Sequence, residues 1–168
     1  MKKIGIFYSF NTTKTGQAVR MLIEEFGTDN TEKTNAETVT AEQVKSFDNL
    51  IFGVPTWFDG ELPNYWDEFV PELEDMNLKG KRIAIFGNGD QKNYPENFVD
   101  GIGIMADLLE SRGAKIVGFT DIKGYQFESS RALRGDKFAG LALDFENQPR
   151  QNKERIGKWA AQLKKEFA

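Results

Sequence analysis

Lys3-Ile4-Gly5-Ile6-Phe7-Tyr8, followed at once by Ser9-Phe10-Asn11-Thr12-Thr13-Lys14-Thr15, sets the reading of the whole chain. A short apolar run that does not alternate with polar residues, closed by a polar loop, has the form of a strand buried on both faces. Beyond the loop, Val19, Leu22, Ile23 and Phe26 fall on one helical face and Gly27 supplies a stop, so a helix is expected over about residues 13–26.

The same unit returns along the chain. Asn49-Leu50-Ile51-Phe52-Gly53-Val54 is a second buried strand, closed by Pro55, and Trp66, Phe69, Val70 and Leu73 mark the helical face after it. Residues 82–87 form the next apolar run; Phe98, Ile102, Met105 and Leu109 mark a helix ending near Gly113, and residues 115–120 another strand. Between the first two units, residues 29–37 read as polar turn. Thr38-Val39-Thr40 is the edge-strand candidate, ahead of a short helix at about residues 42–46. Residues 121–137 are polar and rich in turn formers, and Phe138-Ala139-Gly140-Leu141-Ala142-Leu143 resumes the apolar run, which predicts an insertion splitting the last strand. Ile156, Trp159, Ala160, Leu163 and Phe167 line a closing helix whose other face is basic. Strands alternating with helices require right-handed crossovers, so the expected architecture is a doubly wound α/β domain with a five-stranded parallel sheet, one domain over residues 1–168.

Composition narrows the chemistry. The 168 residues include 22 basic and 26 acidic side chains, for a net charge of −4, which disfavours nucleic acid as a partner. The absence of Cys and His removes disulfides, thiol nucleophiles, cysteine-ligated clusters, the usual zinc sites and imidazole acid–base catalysis. Any redox work would therefore fall to a bound cofactor. The N-terminal apolar run is too short for a signal peptide and no stretch approaches ~18 apolar residues, so no membrane insertion and a cytoplasmic location are expected.

In a doubly wound sheet, ligands sit at the carboxyl ends of the strands, which directs attention to three loops. Residues 9–15 place hydroxyls and free backbone N–H groups at a helix N-terminus, suited either to a phosphate monoester or simply to helix capping by Thr12 or Thr13. The Gly-Lys-Ser/Thr ending of a Walker loop is missing. Pro55-Thr56-Trp57-Phe58-Asp59-Gly60-Glu61-Leu62-Pro63 strands a Trp in a turn, where it either stacks on a flat conjugated ligand or folds back over the core. Gly87-Asn88-Gly89-Asp90-Gln91-Lys92-Asn93-Tyr94 combines two glycines with a second aromatic.

Taken together, Phe7-Tyr8, the Thr-rich loop, Pro55-Thr56-Trp57, Gly60-Glu61-Leu62-Pro63, the segment from Gly87 to Gln91 and Tyr94 resemble the flavodoxin family of FMN-containing electron carriers. The resemblance spans essentially the whole chain. The insertion, with Gly124-Tyr125-Gln126-Phe127 and Ser130-Arg131-Ala132-Leu133, is similar to that of the long-chain branch, especially its cyanobacterial members; a cyanobacterial or cyanophage source would fit. The resemblance implies sheet order 2-1-3-4-5 with helices on both faces. It also implies that Phe10, Asn11, Thr12, Thr13, Lys14 and Thr15 form the phosphate loop of FMN. Trp57 and Tyr94 would sandwich the isoalloxazine, with Pro55, Thr56, Phe58, Asp59 and Gly60 along its edge. Asn88, Gly89, Asp90 and Asn97 would hold its polar side and the ribityl chain. Three positions depart from the family pattern: Phe10 replaces a hydroxyl residue, Thr13 a Gly, and Phe58 an Asn, Gly or Met.

The implied function is a soluble low-potential carrier of single electrons that substitutes for ferredoxin and has no substrate reaction of its own. Its partners would be photosystem I, ferredoxin–NADP reductase and other ferredoxin-dependent reductases, and a monomer suits the role. In this family a carbonyl in the loop after the Trp turns toward flavin N5–H on one-electron reduction, here that of Phe58 or its neighbour. Between Trp57 and Met76 lie seven acids (Asp59, Glu61, Asp67, Glu68, Glu72, Glu74 and Asp75) and no base, which read as a field opposing the second electron or as a solvated face. Six bases against Glu154 and Glu166 from residue 148 onward make the molecule dipolar, suited to steering a basic redox partner. The enzyme alternative is an FMN-dependent NAD(P)H quinone reductase of the same fold. A magnesium-dependent receiver is disfavoured because Tyr8-Ser9-Phe10 stands where its acidic cluster would be.

Overall fold

The computed structural model describes all 168 residues. Strands β1 (Ile4–Tyr8), β2 (Thr31–Asn35), β3 (Asn49–Gly53), β4 (Arg82–Asn88), β5 (Lys115–Val117) and β9 (Leu141–Leu143) form one sheet, with helices α1 (Lys14–Phe26), α2 (Ala41–Lys45), α3 (Asn64–Asp67), α4 (Val70–Glu74), α5 (Asp100–Ser111) and α6 (Pro149–Glu166) around it. The order is β2-β1-β3-β4-β5, all parallel, with β9 also paired to β4. This is the expected order, with helices on both faces.

Side-chain alternation along the strands divides the core in two. Ile4, Ile6, Ile51, Ala84 and Phe86 face one side with Val19, Leu22 and Phe26 of α1 and Ile156, Trp159 and Leu163 of α6. Phe7, Leu50, Phe52, Ile83 and Ile85 face the other with Trp66, Leu73, Ile102, Met105 and Leu109. Each such large side chain, fully buried, contributes about 1.5–3 kcal/mol. Double-sided burial is why the central strands read as continuous apolar runs.

Two expectations are corrected. The edge strand is Thr31–Asn35, within the segment read as turn, while Thr38-Val39-Thr40 runs from the end of a single 3₁₀ turn (Ala36–Thr38) into α2, capped by Thr40. An edge strand buries little: only Thr31 and Thr34 are buried, so no apolar pattern betrays it. The helix expected around Trp66 to Leu73 is two short helices, α3 and α4, broken ahead of Pro71.

The split of the last strand is wider than the expected insertion over residues 121–137. β5 stops at Val117, because the Gly118 carbonyl accepts the Trp159 indole N–H at 2.8 Å instead of continuing the ladder. The chain rejoins β4 at Leu141, after an antiparallel sheet of β6 (Thr120–Asp121), β7 (Leu133–Arg134) and β8 (Lys137–Phe138) in the order β6-β8-β7. Re-entry requires backbone against backbone: a Cβ on Gly140 would lie 2.1 Å from the Ile85 carbonyl oxygen. Gly140→Ala is expected to lower stability by about 2–4 kcal/mol in urea denaturation, because β9 must lift off β4.

Candidate functional site

The chain leaves β1 toward one face of the sheet and β3 toward the other, so their carboxyl ends diverge and open a crevice at the switch point. The loops after β1, β3 and β4 meet there.

In the first loop, α1 begins after Thr13, whose side chain makes no capping bond. The Thr12 hydroxyl instead donates to the Ser9 carbonyl at 2.7 Å, and the backbone N–H groups of Thr13, Lys14, Thr15 and Gly16 have no acceptor within the protein. Four convergent donors at the positive end of a 13-residue helix form an anion cradle. Lys14 pairs with Glu146 at its mouth. The loop is pinned by Glu37, which accepts from the Ser9 hydroxyl at 2.5 Å and the Asn11 amide at 2.7 Å, while the Phe10 N–H donates to Asn35 at 3.2 Å. The Phe10 ring is exposed and packs on Tyr8, with centroids 5.1 Å apart.

The second and third loops enclose a cleft of about 250 Å³ lined by Thr56, Trp57, Phe58, Gly89, Asp90, Tyr94 and Asn97, with Phe98 and Val99 behind them. Trp57 is 36% exposed and Tyr94 52%, so neither folds into the core. Trp57 and Glu61 exchange two backbone hydrogen bonds of 2.8 Å, closing a tight turn over Phe58, Asp59 and Gly60. Gly60 has φ +97°, and a Cβ there would meet the buried Asp100 carboxylate at 2.6 Å. Phe58 also adopts a left-handed conformation, at φ +51°, with its ring 72% exposed. A bulky residue is strained in that region.

Asp144 holds the far side together. Fully buried, it accepts from the Gln91 backbone and side chain and from Glu146 and Asn147. Gln91 in turn accepts the Gln126 N–H of the insertion at 2.6 Å. Burial pushes the Asp90 carboxyl up, but hydrogen bonds from Asn93, Asn147 and Lys92 outweigh it and hold the group below the usual carboxylate range, so it stays charged beside the cleft.

Of the residues singled out from the sequence, those from Phe10 to Thr15 share the cradle and its rim, and Thr56, Trp57, Phe58, Gly89, Asp90, Tyr94 and Asn97 share the cleft. Asp59 and Gly60 complete the turn beside it. Asn88 and Pro55 also lie outside the cleft lining: the Asn88 amide oxygen is engaged by the Phe145 N–H at 3.1 Å, and Pro55 sits behind, its carbonyl against Gly101. The Thr56 hydroxyl also accepts the Gly101 N–H at 2.9 Å. Sequence reasoning missed Glu37, Phe98, Val99, Asp100 and Asp144, which act through tertiary contacts that local spacing does not encode.

Phe58→Gly is expected to raise stability by about 1 kcal/mol in urea denaturation by releasing the left-handed strain. Hydrogen bonds from Ser9 and then Asn11 hold the Glu37 carboxyl below its ordinary value. Its contribution to stability is thus complete above the unfolded value near ~4.3 and is lost as pH falls through the folded value. Glu37→Gln should therefore flatten the loss of urea midpoint between about pH 6 and 3 relative to the parent protein.

Comparison with known proteins accords with this geometry. The profile of the flavodoxin family matches residues 6–159. The flavodoxin of Nostoc sp. is 43% identical over 166 residues, covering 99% of this chain and 98% of its own. Flavodoxin 1 of Escherichia coli is 39% identical over 164 residues, covering 97% and 93%. The crystal structure of Fusobacterium nucleatum flavodoxin bound to flavin mononucleotide matches with a TM-score of 0.95 at 36% identity over the full length of both chains. With its sheet order, its anion cradle and its aromatic cleft, the chain belongs to the flavodoxin family.

Proposed function

We propose that this protein binds FMN and carries single electrons between redox proteins, substituting for ferredoxin with reductases that otherwise use it and with photosystem I. The observation that carries the reading is the pairing of the unpartnered N–H row at the start of α1 with the aromatic cleft between the next two loops. The cradle suits a phosphate dianion, the cleft a flat heterocycle, and the two open from one crevice. FMN supplies the redox chemistry when bound.

The protein's own residues then do three things. The N–H groups of Thr13 to Gly16 and the Thr15 hydroxyl bind the phosphate. Trp57 and Tyr94 flank the ring system while their exposure leaves an edge open for electron transfer. Asp59, Glu61 and Asp90 set a negative field that disfavours added charge: at an effective dielectric near 20, a carboxylate ~15 Å away costs about 1 kcal/mol, or about 40 mV for one electron. The acids around the cleft and the bases on α6, whose last turn carries Lys164 and Lys165 beside the start of the sheet, favour the approach of a basic partner at the cleft end.

The expected result is a yellow protein that releases FMN on denaturation and takes two electrons in separate steps during anaerobic titration. Colourless protein that takes up no FMN at excess would overturn the proposal. Steady NAD(P)H oxidation without an added reductase would replace it with the quinone-reductase alternative.

A further inference from the structure

One edge of the insertion between β5 and β9 is bonded to a wall of the aromatic cleft. That wall is the segment from Asp90 to Val99, which carries Tyr94 and Asn97 and forms neither helix nor strand. Its first half is braced from the Asp144 turn, because Asp90 accepts from Asn93 and Asn147 and Gln91 donates to Asp144. Its second half has little of its own: the Asn97 N–H reaches the Tyr94 carbonyl at 3.4 Å and the Asp100 N–H reaches the Asn97 carbonyl at 3.3 Å, both long for backbone bonds. Residues 128–131 of the insertion make up the difference. The Pro95 carbonyl accepts the Glu128 and Ser129 N–H groups at 2.8 and 3.0 Å. The Glu96 carbonyl accepts the Ser129 hydroxyl at 2.5 Å, the Phe98 carbonyl accepts the Ser130 hydroxyl, and the Asp100 carboxylate accepts the Arg131 N–H at 2.8 Å.

The two serine hydroxyls bracket Asn97, holding the carbonyls on either side of it, and Val99 follows immediately. Val99 lines the cleft at φ +48°, a left-handed conformation that a β-branched residue keeps only where its surroundings over-determine it. Here Ser130 fixes the carbonyl before it and Arg131 the carboxylate after it. Val99 and Phe58 are the two non-glycine residues at positive φ, and one stands in each wall of the cleft. The apolar packing beneath does a different job. Phe98 stacks on Phe127, centroids 5.4 Å apart, and meets Phe138 edge-on at 5.9 Å, which joins the insertion to the core whatever the serines do. Arg134 ties another part of the insertion to α5 through Asp107 and Glu110, at 2.6 Å each, and lies outside the cleft lining.

We propose that Ser129 and Ser130 are cofactor-positioning residues. Through the Glu96 and Phe98 carbonyls they fix the wall that carries Tyr94 and Asn97 at its separation from the Trp57 wall, so the slot for a flat ring system exists before the ring arrives. A loop already held in its binding conformation incurs no ordering cost on binding, and stacking is sensitive to small displacements of the plates. Neither serine lines the cleft, so each acts through the loop it holds. The inference deepens the FMN reading and rests on it for the identity of the ring.

The test uses the full-length protein freed of flavin and titrated with FMN, followed by quenching of the flavin fluorescence. Ser129→Ala/Ser130→Ala is expected to bind at least about tenfold more weakly and to alter the visible circular dichroism of bound FMN. Ser129→Thr/Ser130→Thr, which keeps both hydroxyls, should stay within about threefold of the parent. Arg134→Gln should lower the melting temperature without moving the affinity, which separates positioning from anchoring of the insertion. In a Tyr94→Ala/Asn97→Ala background the serine-to-alanine pair should cost less than about threefold, because the wall it positions has been stripped. Parent-like binding by the alanine pair, equal weakening by the threonine pair or by Arg134→Gln, or a loss that persists undiminished in the stripped background would each overturn the proposal. Failure of the carrier reading has a different signature. A parent protein that takes up no FMN defeats that reading, and the positioning is then read in the flavin-free protein by amide hydrogen exchange. There the Tyr94, Asn97 and Phe98 amides should exchange at least about tenfold faster in the alanine pair and at the parent rate in Arg134→Gln, and unchanged exchange in the alanine pair would defeat the positioning alone.

Discussion

Burial of β1 on both faces, with β2 on one edge and β3 on the other, is the constraint from which the site follows. A strand so enclosed cannot turn back on itself, so its chain must leave over one face while the chain leaving β3 crosses the other. The two departures pull apart at the carboxyl ends of the strands and leave a crevice that no side chain has to carve. The start of α1 then points its unpaired N–H groups into that crevice, because the crossover from β1 has nowhere else to begin.

The loops that complete the site are held by polar groups whose partners lie far away in sequence. Asp144, after β9, gathers the N–H groups of the loop after β4 and of its own turn, and Gln91 passes that restraint on to the insertion. Glu37, after β2, does the same for the loop after β1. Exposed aromatic residues can stand at the cleft because they rest on such braces. Trp57 is held by a two-way backbone bridge to Glu61, and the strain in the turn is confined to Phe58.

The sequence made the buried strands and the loops at their ends legible, because burial on two faces writes continuous apolar runs and loops at strand ends carry distinctive residues. It did not reveal β2, whose Thr-Glu-Lys-Thr-Asn composition reflects an edge with little to bury. Nor did it reveal Glu37 or Asp144, which look like ordinary surface and turn acids until the fold brings them to their donors. The left-handed conformation of Phe58 was equally hidden, since nothing in its local sequence marks a bulky residue for that region. What a residue does through its neighbours in space leaves no period or motif in the chain.

The two half-strands β5 and β9 lie end to end along β4, with only Ile85 between their pairings, so the intervening excursion departs and returns at nearly the same point. Topologically it is a detachable ornament, and closing the gap with a residue or two would restore an unbroken fifth strand. Energetically it is not detachable. Ala132, Phe138 and Ala139 cover Phe98, Ile102 and Met105, and the Arg131 backbone comes within contact of Gly103 on α5. A shortened descendant would have to repaint that helix face with polar side chains before it could discard the ornament, so the excision and the resurfacing would have to occur together.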